Sequence, residues 1–221
     1  MDVSQAVNRR ISVRAFKPDP VEESVVRQLL DLARQSPSGG NLQPWRVDVL
    51  AGAPLAALKA KAAEAMAQGG EPIEYDVYPP KLWEPFRTRR YACGEDLYGA
   101  IGIGRGDRAS RMAQMARNYE LFGAPVGLFF SLDRRLGPPQ WSDMGMFLQT
   151  LMLLAIERGL DTCAQEFWSN LPRTVGEAIA LPEDHILFCG MALGYRDEAA
   201  PINALRTRRE AVEDFASFAG F

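Results

Sequence analysis

Histidine is nearly missing from this 221-residue chain, where His185 stands alone, and cysteine is scarce, at Cys93, Cys163 and Cys189 only. A hydrolytic triad would have to use His185, yet no G-x-S-x-G elbow supplies a nucleophile for it. One histidine and three scattered cysteines do not assemble a set of zinc ligands, and no H-E-x-x-H is present. An odd, low cysteine count implies reduced thiols and no disulfide scaffold. Long apolar runs are missing too. The longest, Met144 to Ile156, contains Gln149 and Thr150 and is too short to cross a bilayer, so it reads as a buried helix. Residues 1–8 lack the charged start and apolar middle of a signal peptide, which leaves a cytoplasmic protein with no membrane partner as the expectation. Nor is there an excess of positive charge. A formal net charge of -3 argues against a nucleic-acid partner, although Arg87, Arg89, Arg90 and the trio Arg206, Arg208, Arg209 are local basic groups able to meet phosphates.

What the chain does have is enough apolar material, 47% of its residues, to fill the core of one large domain. Its densest cluster of turn formers is Ser36 to Trp45, Ser-Pro-Ser-Gly-Gly-Asn-Leu-Gln-Pro-Trp. Short polar side chains, two adjacent glycines and flanking prolines make a loop that can wrap something flat and polar. A plain helix-to-strand connection would have the same composition. Ahead of it, Val3, Ala6 and Val7 recur at helical spacing behind Asp2 or Ser4 as cap. The alternation Arg10-Ile-Ser12-Val-Arg14 then turns two guanidiniums and a hydroxyl to one side of an extended segment. That set suits a phosphate or a polyol, and equally a solvated edge strand. Val21 to Ala33 carries the apolar stripe of a helix, Val47 and Val49 mark a strand, and Leu55 to Met66 returns to helical period, closed by Gly69 and Gly70.

From Glu71 to Asp107 prolines alternate with Tyr75, Tyr78, Trp83, Phe86, Tyr91 and Tyr98, the composition of a packed excursion that covers a site or a subunit contact. Gly99, Gly102, Gly104 and Gly106 follow no strand and do not have dinucleotide-fingerprint spacing. Asp107 caps a helix whose Met112, Met115, Ala116 and Tyr119 are expected to face the core. Val126 to Leu132 reads as a fully buried strand. Ser142 is the expected cap of the apolar helix through Ile156, closed by Gly159, and Thr162 to Trp168 is a short strand running into a loop. Pro172 to Ala180 is a short helix and Ile186 to Leu193 another buried strand. The tail from Ala200 holds three arginines and then Val212, Phe215 and Phe218, whose aromatics would suit docking on another subunit. With nucleophile and metal chemistry unsupported, a bound organic cofactor is the remaining carrier of chemistry.

Several segments together resemble the FMN-dependent nitroreductase family over nearly the whole chain. Arg10-x-Ser12-x-Arg14-x-Phe16 resembles its R-x-S-x-[RK]-x-F motif, and Ser36-Pro-Ser-Gly-Gly-Asn41-Leu-Gln43-Pro-Trp45 its S-P-S-x-x-N-x-Q-P-W motif. Gly159 to Glu166, Gly190 to Tyr195 and the C-terminal arginines match the remaining blocks. The resemblance implies an α+β fold: a mixed, mainly antiparallel sheet flanked by helices, in an intertwined homodimer. It implies a single domain, residues 1–221, with a covering insertion at about 71–107 and a C-terminal arm at about 200–221. Carried over by motif, Arg10, Ser12 and Arg14 would hold the FMN phosphate and flavin edge. Pro37, Ser38, Gly39 and Asn41 would reach the flavin of the other subunit, and Gln165 and Glu166 would line the ring near N5 through backbone NH groups. Arg206 and Arg209 fit the terminal phosphate contacts, which places Ala211 where the family often has proline and leaves Arg208 as a substitute.

The activity so implied is ping-pong transfer of hydride from NADPH or NADH, by way of FMN, to a small aromatic electron acceptor. A nitroaromatic acceptor would pass through nitroso to hydroxylamine, with no side chain forming a covalent bond. Tyr78, Trp83, Tyr91 and Phe122 are the candidate substrate contacts. The competing readings are a quinone, enone or other flavin-dependent reductase on the same fold, and a non-catalytic dimeric module.

Overall fold

The continuous apolar run after Pro125 becomes an inner strand of a four-stranded sheet in the computed structural model, which describes all 221 residues. The strands are β1 (Arg46–Ala51), β2 (Val126–Asp133), β3 (Asp161–Gln165) and β4 (His185–Gly194), all antiparallel in the order β1-β2-β4-β3. Strand β2 is apolar at successive positions because both of its faces are covered. Phe129 points into a core shared with Leu55, Leu58, Trp168 and Val175, while Leu128, Phe130 and Leu132 point into a second core with Val26, Leu29, Met144 and Leu151.

Helices supply those two layers. On the first face lie α3 (Gly52–Ala67) and α7 (Pro172–Ile179); on the second lie α2 (Glu23–Ala33) and α6 (Pro138–Glu157). The N-terminal α1 (Val3–Arg9) starts at Asp2, whose carboxylate accepts from the Gln5 amide while the Gln5 side chain returns to the Asp2 amide. After it the chain runs extended beside β3: Val13 donates its amide to the Thr162 carbonyl at 3.0 Å, and Ser12 faces Thr162 in a parallel bridge. That isolated bridge, outside the named strands, is the one parallel pairing; the sheet itself is antiparallel, the main direction that the family resemblance implied. No helix is long and apolar enough to cross a membrane.

Two expectations are corrected here. Ser142 does not cap α6. The helix begins at Pro138, because two successive prolines have no amide to satisfy in a first turn, and Ser142 bonds back to the Pro139 carbonyl from inside it. Met112 and Met115 do not face the core. They are 68% and 45% exposed on α5 (Arg108–Ala116), and only Tyr119, beyond the end of that helix, is buried. The amphipathic pattern was real, but the helix is tied by the Arg111–Glu95 ion pair to a neighbouring helix rather than to the sheet. That neighbour, α4 (Phe86–Ala100), is itself unannounced in the sequence: none of its residues is buried, so it has no apolar stripe to read.

The start of the 71–107 segment is pinned at three places. The buried Glu71 carboxylate accepts from the Arg173 and Thr174 amides at the N-terminus of α7. Glu74 pairs with Arg134 at 2.6 Å. The Tyr75 hydroxyl donates to the Phe188 carbonyl, and its ring meets Trp141 edge-on at 5.3 Å. Burial pushes the Tyr75 hydroxyl up to about 12, so it stays a donor.

Candidate functional site

A cleft of about 860 Å³ opens between the extended segment after α1, one face of α4, and the chain from Leu205 to Glu210. Arg10, Ser12, Arg14, Arg206 and Arg209, singled out from widely separated parts of the sequence, all line it. Asn203 brings the two ends together. Its buried side chain accepts from the Arg14 amide at 2.9 Å and donates to the Ala15 and Asp197 carbonyls at 2.8 Å each. Nothing in the sequence marked this asparagine, whose work is entirely long-range.

The state of the arginines decides what the cleft can bind. Arg14 reaches the Ser12 carbonyl, Arg206 the Asn203 and Leu205 carbonyls, and Arg209 the Thr207 hydroxyl and carbonyl. Neither these three nor Arg10 forms an ion pair with a carboxylate, whereas Arg208 lies 3.7 Å from Asp96 and Arg89 lies 2.9 Å from Glu210. Four arginines therefore line one cleft with no carboxylate paired to any of them, beside a hydroxyl. That donor set matches a phosphate and the polyol next to it. It also favours Arg209 over Arg208 as the free donor.

Strand β3 leads out of this region. Gln165 stands three residues beyond Thr162, roughly 10 Å further along at strand rise. Its buried side chain donates to the Asn118 carbonyl at 2.9 Å and to Asn118 Oδ1 at 3.0 Å, and its Oε1 has no partner. Glu166 follows at the surface and opens the tight turn Glu166–Asn170, where Ser169 returns a bond to the Glu166 carbonyl. Within β3, burial pushes the Cys163 thiol up to about 11, against the opposing pull of Arg14, and Cys189 on β4 likewise rises. Neither is a nucleophile at neutral pH. His185 sits at the start of β4 against Asp184 at 3.0 Å, and no three His, Cys, Asp or Glu side chains gather as a metal site.

Pro37, Ser38, Gly39 and Asn41 do not line the arginine cleft. Their loop forms a tight turn, Gly39–Asn41, with positive φ at Gly40, Asn41 and Gln43. Ser38 braces it by accepting from the Gln43 amide at 2.9 Å, and the Gly39 amide donates to both oxygens of Asp143 on α6 at 3.3 Å. Pro37, Gly39 and Asn41 face outward. Asp143, an acid inside an apolar helix, escaped the sequence reading, although an isolated carboxylate in such a run was the available signal.

The proposed substrate aromatics divide. Tyr78, Trp83 and Tyr91 are exposed on the 71–107 segment, with Arg90 stacked over Tyr78 at 4.2 Å and Arg105 over Tyr91 at 5.2 Å. Phe122 is corrected. It is 2% exposed and belongs to the core, because Leu121 and Phe122 adopt left-handed backbone angles, φ 51° and 53°, within a turn that packs both side chains inward.

Known proteins are similar to this chain over its whole length. The model of the nitroreductase family matches residues 7–195. A 4-nitrobenzoate reductase of Pseudomonas putida is 39% identical over 221 residues, covering 100% of this chain and 96% of its own. The nitrobenzene nitroreductase of Ectopseudomonas oleovorans is 37% identical over 218 residues, covering 98% and 96%. Among solved structures, the FMN and NADPH-dependent nitroreductase NfnB from Sphigopyxis sp. strain HMH superposes with a TM-score of 0.97 at 43% identity, over 100% of both chains. On this evidence the chain belongs to the nitroreductase family.

Proposed function

We propose that the protein is an FMN-dependent nitroaromatic reductase that draws electrons from NADPH or NADH and works as a homodimer. The observation that carries this reading is the cleft in which Arg10, Arg14, Arg206 and Arg209 converge without carboxylate partners beside Ser12. An anion-bearing cofactor fits that donor set, and the partnerless, buried Gln165 Oε1 offers an acceptor further along the same strand. Relatives named for nitrobenzoate and nitrobenzene, and an FMN and NADPH-dependent structural neighbour, support the same activity.

When bound, FMN supplies the two-electron exchange between nicotinamide and acceptor that none of the side chains can perform. The chain's part is binding, orientation and exclusion of water. Arg10, Ser12, Arg14, Arg206 and Arg209 hold the phosphate end through charge-assisted bonds. Gln165 and Glu166 border the ring end. Pro37, Ser38, Gly39 and Asn41 belong to a loop whose exposed side would reach the site of the second subunit. Tyr78, Trp83 and Tyr91 offer aromatic faces to a flat acceptor, which gains reactivity from being held against the ring rather than from a catalytic side chain. The product series is nitroso, then hydroxylamine.

The test is a visible spectrum of the purified protein before and after anaerobic NADPH, followed by steady-state rates with 4-nitrobenzoate, a quinone and an activated alkene. Flavin absorbance that bleaches with NADPH, and turnover of the nitro compound, are expected. Absence of nitro turnover would sink the reading, and quinone turnover alone would replace it. Arg10→Ala and Arg209→Ala are expected to weaken FMN retention on the order of tenfold to a hundredfold each, the loss of a charge-assisted bond. Arg27→Ala, which touches only Glu23, serves as control. Arg134, just past the end of β2, would be a poorer control because it holds Glu74 and the Glu183 carbonyl.

A further inference from the structure

We propose that α4 forms the second wall of the phosphate end of this cleft and that Arg89 is an additional phosphate-binding residue, held in place by Glu210 until the anion arrives. The inference rests on the cofactor reading above. Thr88, Arg89, Ala92, Cys93 and Asp96 all line the cleft, and their spacing of one, four, five and eight residues from Thr88 defines a single face of a helix. The middle of that face is small, so a ligand can approach the helix closely, and its ends carry a hydroxyl with a cation and a carboxylate.

The other two arginines near the start of α4 are committed elsewhere. Arg87 pairs with Glu84 at 2.6 Å, and Arg90 stacks over Tyr78. Arg89 alone crosses the cleft, meeting Glu210 at 2.9 Å on the segment that also presents Arg206 and Arg209. A second link, Arg208 to Asp96 at 3.7 Å, ties the same two elements further along. The Arg89–Glu210 pair is nearly half exposed on both sides, and such pairs contribute little to stability. A phosphate monoester, with nearly two negative charges and three acceptor oxygens, competes well against one solvated carboxylate for the guanidinium. Binding would exchange Glu210 for phosphate on Arg89 and draw α4 onto the ligand.

The experiment titrates flavin-free full-length protein with FMN and with riboflavin, which differ by the phosphate alone, and follows flavin fluorescence. Arg89→Ala is expected to weaken FMN about tenfold and to change riboflavin less than about twofold, the signature of a lost phosphate contact. Glu210→Gln removes the competing carboxylate and is expected to tighten FMN roughly twofold to threefold, again without moving riboflavin. Arg87→Ala is expected to leave both unchanged. Equal loss of both flavins in Arg89→Ala, or FMN affinity unchanged in both Arg89→Ala and Glu210→Gln, overturns the proposal. Wild-type protein that binds neither flavin overturns the cofactor reading itself, and the two failures are thereby separate. Should Arg89→Ala misfold by circular dichroism, Glu210→Gln and Arg89→Lys carry the same comparison.

Discussion

Asp143 is a carboxylate taken out of water with little in return. It is 4% exposed, forms no ion pair, and receives only the Gly39 amide, shared between its oxygens at 3.3 Å. Burying an unpaired charge is costly, and one long hydrogen bond does not offset it. Its use is to hold the glycine loop. Asp143→Asn should therefore be neutral or stabilising by up to about 1–2 kcal/mol in urea unfolding, while amide exchange across residues 38–43 accelerates roughly tenfold. Unchanged exchange in a stable variant would show that the loop is held by Ser38 and its own turn. The same residue shows how legible single positions are. Alternation alone put Arg10, Ser12 and Arg14 on one side of the chain, since a strand sends every second side chain to one side, and the family motif gave that set its ligand. Asp143 and Asn203 act on partners 104 and 189 residues away, so no local pattern reveals those partners. Phe122 was misjudged because consecutive left-handed residues without glycine are rare, and the sequence gives no sign of them.

Among the elements, those with an apolar period were readable and those without it were not. Strands β1, β2 and β4 and helices α2, α3 and α7 follow patterns set by the two cores, whereas α4 buries nothing and appeared in sequence only as an aromatic, proline-rich stretch. Glycine shows the contrast. A Cβ at Gly190 on β4 would lie 2.5 Å from Trp168 Cδ1 and 2.9 Å from its Cγ. Trp168 cannot yield, being fully buried and wedged edge-on against Phe129 at 5.2 Å and Tyr119 at 5.3 Å. Since Gly190 also faces Gln165 across the ladder, the displaced indole would disturb the turn that follows β3. Gly190→Ala is expected to cost about 1–3 kcal/mol by overpacking. At Gly99, inside α4, nothing lies within 4 Å of an added Cβ. Gly99→Ala should be stabilising by about 0.5–1 kcal/mol through helix propensity alone. Urea unfolding of the two variants checks both signs, and a Gly190→Ala protein as stable as wild type would mean that the indole has room to move.

At the scale of the molecule, the two-layered core is complete within one chain but the surface is not. The tail beyond Glu210 has one short turn, Val212–Asp214, and leaves Phe215 and Phe218 72% and 68% exposed, with Phe221 beyond them. On the body, Met146 on the otherwise central α6 and Leu42 in the glycine loop are exposed as well. Aromatic side chains exposed at such density mark a contact surface, because burying them against apolar partners returns about 25 cal/mol per Å². The occupant proposed for this tail is a second copy of the chain, consistent with an exposed glycine loop that does not line the arginine cleft of its own subunit. Truncation after Glu210 keeps Arg206, Arg209 and the whole core. It should convert a species of twice 24.5 kDa into single chains in light scattering, while far-ultraviolet circular dichroism stays close to that of the full chain. FMN retention should fall with the dimer, since the loop at residues 37–41 would have no neighbouring site to complete. If the truncated protein remains dimeric and keeps its flavin, the tail's aromatics serve some other contact and the dimer is built by the body alone.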